Sequence, residues 1–186
     1  MELLPAHRLA MREFDRRVRQ TTVDQLDNPT PCSEWNVRDL LNHLISEQLW
    51  APWLLEGHTL AQVGDRFDGD HVGRTPRQAW EKASSAARAA WDAASLDGRV
   101  HVTGGTIPTE EYGWQMTMDL AVHAWDLATG IHADTRLDPE LVEAVYAVFE
   151  PQREALRHAG VFAAPERLPD TADQQSRLLA LVGRRP

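Results

Sequence analysis

Cysteine is almost absent from this sequence: Cys32 is the only one. A single thiol closes no internal disulfide and builds no cysteine-rich zinc site. The chain therefore reads as a protein of a reducing compartment, and any metal it holds must sit on histidine and carboxylate ligands. Basic charge is also in short supply, since 19 Lys and Arg face 28 Asp and Glu and leave a net charge of -9. A phosphate backbone demands clustered cations, so nucleic acid is not an expected partner. No apolar run reaches the ~18 residues of a spanning helix. The start, Met1-Glu2-Leu3-Leu4-Pro5-Ala6-His7-Arg8, has neither the basic nor the apolar region of a secretory leader. The expected location is the cytoplasm, with no membrane partner.

What remains is ordinary globular composition, 42% hydrophobic and 25% charged over 186 residues, which suits one domain spanning 1–186. Leu4, Leu9, Met11, Phe14 and Val18 recur at near-helical spacing and predict a first helix, ended by the Asp27-Asn28-Pro29-Thr30-Pro31-Cys32-Ser33 loop. Asn36 with Asp39 marks the cap of a second helix running to about Leu55. Gly64 to Gly73 reads as a loop, and Thr75-Pro76 opens a third helix over Arg77 to Ala94. Val100, Val102, Gly104-Gly105 and Ile107 indicate a short extended segment or hairpin. A fourth helix, capped by Thr109, runs to about Thr129 with Gly130 as its stop. Asp138-Pro139-Glu140 opens a fifth through about Arg157, and Ser176 to Val182 forms a short amphipathic turn in the tail. The sum is an all-α chain, a four-helix bundle with an extra helix and a small hairpin.

Metal-capable side chains interrupt the apolar pattern at one place. Asp119 and His123 lie four apart, so a helix points both the same way, and His43 on the second helix offers a third donor. Two histidines and one carboxylate hold a divalent cation while leaving room for water or substrate. Tyr112, Met116, Asp119, His123, Asp126 and Leu127 share one sector of the fourth helix, and a buried carboxylate there is costly unless paired or bound to a cation. The alternative is an Asp–His hydrogen bond on a solvated face. His43 falls with Glu47, Trp50 and Leu54 along the edge of a core stripe formed by Leu40, Leu44, Ala51 and Leu55. Glu47 is either a general acid/base or a solvated surface acid. Cys32, just before a helix start, is either a reactive thiol or a small loop hydrophobe. The seven tryptophans (Trp35, Trp50, Trp53, Trp80, Trp91, Trp114, Trp125) divide between core and the wall of an apolar pocket. His7, His58, His71, His101, His132 and His158 fall on expected loops, helix ends or exposed faces, without ligand character.

Two motifs carry a family resemblance. Thr30-Pro31-Cys32-Ser33-Glu34-Trp35-Asn36-Val37-Arg38-Asp39-Leu40-Leu41-Asn42-His43-Leu44 resembles the signature of actinobacterial proteins related to mycothiol-dependent maleylpyruvate isomerase, within the DinB-like metal-binding superfamily. Asp119-Leu120-Ala121-Val122-His123-Ala124-Trp125-Asp126-Leu127-Ala128 resembles that family's second motif, and the tail from Phe162-Ala163-Ala164-Pro165 through Arg184 is similar to its small single-domain members. The resemblance implies a DinB-like four-helix bundle with a divalent metal, zinc foremost and nickel the alternative, on His43, Asp119 and His123. It implies mycothiol as cosubstrate, a small electrophile as the second partner, and a transferase or isomerase-like reaction. Glu47 and Asp126, close to the three donors, are the candidates to move a proton or orient a ligand histidine. Asp119 stands where the isomerase has Glu, and this length leaves no room for the isomerase's C-terminal domain, so maleylpyruvate itself is not the expected substrate. Metal-activated hydrolysis and non-catalytic metal or small-molecule binding are the alternative activities.

Overall fold

A computed structural model describes residues 1–159 and 164–186. Residues 160–163, with the Phe162-Ala163 part of the tail motif, and the side chain of His158 lie outside the described residues. The helices are α1 (Leu3–Val18), α2 (Val37–Leu55), the single turn α3 (Leu60–Val63), α4 (Pro76–Ala93), α5 (Thr109–Gly130), α6 (Pro139–Phe149), α7 (Arg153–Ala159) and α8 (Gln174–Leu181). Between α4 and α5, β1 (Arg99–Val102) and β2 (Gly105–Pro108) pair antiparallel, with Val100 opposite Ile107. The fold is the DinB-like four-helix bundle: α1 packs along α5, α2 packs along α4 and also meets α5. Among the described residues no helix is long and apolar enough to cross a membrane.

Local chemistry explains most boundaries. Asn36 accepts from the backbone N–H of Asp39, whose carboxylate reaches back to the Asn36 N–H, so two orphan donors of α2 are satisfied reciprocally. Asp138 caps α6 by accepting from Glu140 and Leu141. Inside α5 the apolar surface wraps nearly all round, with Leu120, Ala121, Ala124, Leu127 and Ala128 fully buried, which makes it the central helix. Both metal-capable residues of α5 thus start from the most buried helix.

Several boundaries differ from the sequence expectation. The fifth predicted helix breaks after Phe149 into a 3₁₀ turn, Glu150–Gln152, before α7. Pro151 has no N–H to continue the ladder and its ring crowds the preceding turn. The Gln152 side chain instead donates to the Val148 carbonyl at 2.9 Å. Pro108, not Thr109, precedes the first residue of α5, and Thr75 occupies the α4 cap position without a side-chain cap bond. Gly130 does not stop α5 by a left-handed turn. His132 takes that conformation (φ 58), and Ala133 N–H closes onto Ala128 O at 2.8 Å. Gly130 serves close packing, because a Cβ there would meet Val37 Cγ2 at 2.9 Å and Thr30 Cγ2 at 3.2 Å.

Burial corrects two further expectations. On α2 it is Leu54 that is buried and Leu55 that is partly exposed, so the core stripe reaches the residue assigned to its edge. His7 lies in the interior rather than on an exposed face, with 2% of its surface accessible. Its Nδ1 lies 3.1 Å from the Thr117 hydroxyl, which itself donates to Gly113 O at 2.7 Å, so the ring donates and Thr117 accepts.

Candidate metal centre

His43 comes from α2, and Asp119 and His123 from α5. Farther along α2, Leu54 shares a cluster with Tyr112 and Met116 of α5, so the two helices run antiparallel and meet over a long face. The predicted three converge. Asp119 Oδ1 lies 3.4 Å from His43 Nε2 and 3.3 Å from His123 Nε2, and Oδ2 lies 3.2 Å from His43 Nε2. One donor atom from each lies within 4.8 Å of the others. A tetrahedral ion with bonds of 2.0–2.1 Å separates its ligands by about 3.3–3.4 Å, so the two carboxylate edges match that spacing.

The second nitrogen of His123 decides the chemistry of the first. His123 Nδ1–H donates to Asp126 Oδ2 at 2.9 Å, which leaves Nε2 facing the Asp119 oxygen. A bare lone pair facing a carboxylate oxygen at that distance is repulsive, so a proton or a cation belongs between them. In the protein by itself a proton takes the place. Burial works to lower the His123 pKa, but Asp119, with help from Asp126, outweighs it and raises the value to about 9. His43 is raised likewise, burial opposing and Asp119 prevailing. For Asp119 burial works upward, and the two imidazoles overcome it to hold the carboxyl well below the usual range.

Access is one-sided. The His43 and Asp119 side chains keep 29% and 23% exposure, whereas His123 keeps 7% and Asp126 none, so a ligand approaches from the α2 side. Glu47 follows His43 by one helical turn and has no side-chain hydrogen bond among the described residues; burial, then the Asp119 charge, push its pKa up to about 6. Tyr112 shares the Asp119 face of α5, and its buried hydroxyl has no partner among the described residues. Trp35 packs 4.9 Å from the His43 ring and stacks 5.7 Å from the His123 ring. The loop behind it is held by the Thr30 hydroxyl, which bonds Trp35 O at 2.9 Å. Trp50 meets Phe67 edge-on at 5.7 Å beside the open side of α2.

One neighbour escaped the sequence reading. Arg184 donates through Nη2 to Asp126 Oδ2 at 2.7 Å and through Nε to Oδ1 at 3.1 Å. Nothing local signals a pair 58 residues apart. Trp35, one of the seven tryptophans read as core or pocket wall, lies against both histidine rings. Cys32 offers its sulfur within 4.8 Å of donor atoms of His123 and Asp126, and burial, only partly offset by Arg184, raises its thiol pKa. That places Cys32 at the site while making it a poor thiolate. Asp126 lies behind His123 with both carboxylate oxygens engaged.

The sequence profile of the mycothiol maleylpyruvate isomerase N-terminal domain matches residues 7–128, and the chain belongs to that family. It is 31% identical to the uncharacterized proteins MT0763 and Rv0738 of Mycobacterium tuberculosis (strains CDC 1551 / Oshkosh and ATCC 25618 / H37Rv), over 99% of this chain and 98% of each relative. Crystal structures of the mycothiol-dependent maleylpyruvate isomerase share the fold. One superposes with TM-score 0.59 at 17% identity and a point mutant with 0.61 at 15%, each over 79% of this chain and 68% of the other.

Proposed function

We propose that the protein binds a divalent cation, zinc foremost and nickel the alternative, through His43, Asp119 and His123, and uses it with a low-molecular-weight thiol such as mycothiol to transform a small electrophile by thiol transfer or isomerisation. The observation that carries this reading is Asp119 Oδ1, set 3.4 and 3.3 Å from two imidazole nitrogens while the far side of His123 is committed to Asp126. Membership of a family named for a mycothiol-dependent isomerase supports the thiol. A cation bound there would supply a Lewis acid that favours the thiolate at neutral pH.

The chain's own residues do the rest. Glu47, with a pKa of about 6, sits where it can accept the proton that the thiol loses and return it to the product. Forming the carbon–sulfur bond and reprotonating the product then needs no further co-reactant. The Tyr112 hydroxyl, pushed well above its ordinary pKa by burial and by the Glu47 and Asp119 charges, stays protonated and serves as a donor to an oxygen of the ligand. Trp35 and Trp50 supply apolar walls. Asp126 fixes the His123 ring.

Calorimetric titration of mycothiol into metal-loaded and metal-stripped protein tests the reading. Binding is expected only to the loaded form, with turnover of an electrophile that requires the thiol. Turnover without thiol would replace this reading by metal-activated hydrolysis. Metal binding with neither thiol binding nor turnover would leave a binding protein.

A further inference from the structure

Arg184 belongs to the C-terminal tail, outside the 7–128 segment that the family profile matches. It is nonetheless 7% exposed and forks onto Asp126, which is fully buried. The tail is built to hold it there. Leu178, Leu179 and Val182 are buried in the main core, Arg184 N–H donates to Leu179 O at 2.9 Å, and Arg184 Nη1 donates to Val182 O at 3.1 Å. Gly183 makes the turn at φ 75, a conformation a side chain would strain.

We infer that Arg184 is a positioning residue of the candidate metal centre: acting through Asp126, it fixes the ring of His123, so that the C-terminal tail completes a site whose proposed ligands all come from α2 and α5. This rests on the metal reading above. The chain of contacts is continuous, from Arg184 Nη2 to Asp126 Oδ2 at 2.7 Å and from the same oxygen to His123 Nδ1 at 2.9 Å. One oxygen thus takes both hydrogen bonds, while Oδ1 is held by Nε at 3.1 Å. With both oxygens pinned, the carboxylate cannot rotate, and the imidazole it receives cannot turn Nε2 away from Asp119. A buried ion pair is weak ground for stability, because desolvation offsets most of the attraction. Orienting a ligand histidine through its second nitrogen is a role such a carboxylate performs elsewhere, and loss of such a partner costs 10–100-fold in metal affinity.

The test is a double-mutant cycle read by cobalt titration of the full chain. Arg184→Gln should weaken cobalt binding by roughly 10–100-fold and alter the visible d–d bands. Arg184→Lys, which keeps the charge and loses the fork, should recover part of the affinity and keeps the test valid if the Gln variant does not fold. In an Asp126→Asn background, Arg184→Gln should add nothing. An Arg184→Gln variant with cobalt affinity and spectrum unchanged overturns the inference, as does a full additional loss in the Asp126→Asn background. A second readout is independent of metal. The hydrogen-bonded His123 Nδ1 proton should give a downfield resonance in the metal-free protein that disappears in Arg184→Gln. If the parent protein binds no cobalt, the metal reading fails, and this resonance still decides whether Arg184 orders His123.

Discussion

At the scale of single residues, the two ring nitrogens of a histidine are assigned by what each one meets. His123 gives Nδ1–H to Asp126 and turns Nε2 to Asp119. His7 gives Nδ1–H to Thr117 and leaves Nε2 buried without a partner among the described residues. The consequence for His7 is a pH dependence. Burial, reinforced by Arg88 and Arg8, lowers its pKa from 6.5 to about 4. The unfolded chain therefore takes up a proton first as the pH falls. The contribution of neutral His7 is complete above pH 6.5 and is lost progressively from there down to pH 4. Between pH 7 and pH 5 that amounts to about 2 kcal/mol. Urea unfolding of the protein and of His7→Gln should show the parent losing about that much more than the variant; equal losses would place His7 in contact with solvent. The motif residues His43, Asp119 and His123 were legible because helical spacing and the resemblance both pointed to them. Arg184 was not, since a contact across 58 residues leaves no local pattern.

At the scale of elements, caps and helical periodicity located the helices well because they act over three or four residues. Asn36 with Asp39 and Asp138 with Glu140 are caps in the sequence and in the structure. The break at Pro151 is local chemistry that the apolar pattern of Val142, Val145 and Phe149 concealed. Gly130 misled for the opposite reason, since a glycine near a helix end suggests a left-handed stop. Its reason lies in another element, the approach of Val37 and Thr30. Gly130→Ala tests this. Helix propensity favours alanine by up to ~1 kcal/mol, whereas crowding the stiff Val37 side chain and the Pro29 carbonyl, 3.3 Å away, costs about 1–3 kcal/mol. A net loss near 1 kcal/mol should lower the melting temperature by roughly 2–4 °C. A variant as stable as the parent would mean that α5 and the Pro29-Thr30 loop have slack between them.

At the scale of the molecule, the bundle brings α2 against α5 and the tail reaches Asp126 of α5, so one buried helix presents Asp119 and His123 to an edge histidine while Arg184 closes the rear. The all-α class and the bundle were legible from helix lengths and connections. How the tail returns to the site was not, because that depends on which hydrophobic face Leu178 and Leu179 find. The central claim is that His43, Asp119 and His123 hold a divalent cation, and it is tested most directly by the metal-dependent melting temperature of the protein and of His123→Ala. At a hundredfold excess of free zinc over Kd, binding to the folded state stabilises by about 2.7 kcal/mol, which for a chain of this size raises the melting temperature by roughly 5–10 °C. The account predicts that rise in the parent protein and none in His123→Ala, while a variant keeping the full rise, or a parent showing none, would contradict it.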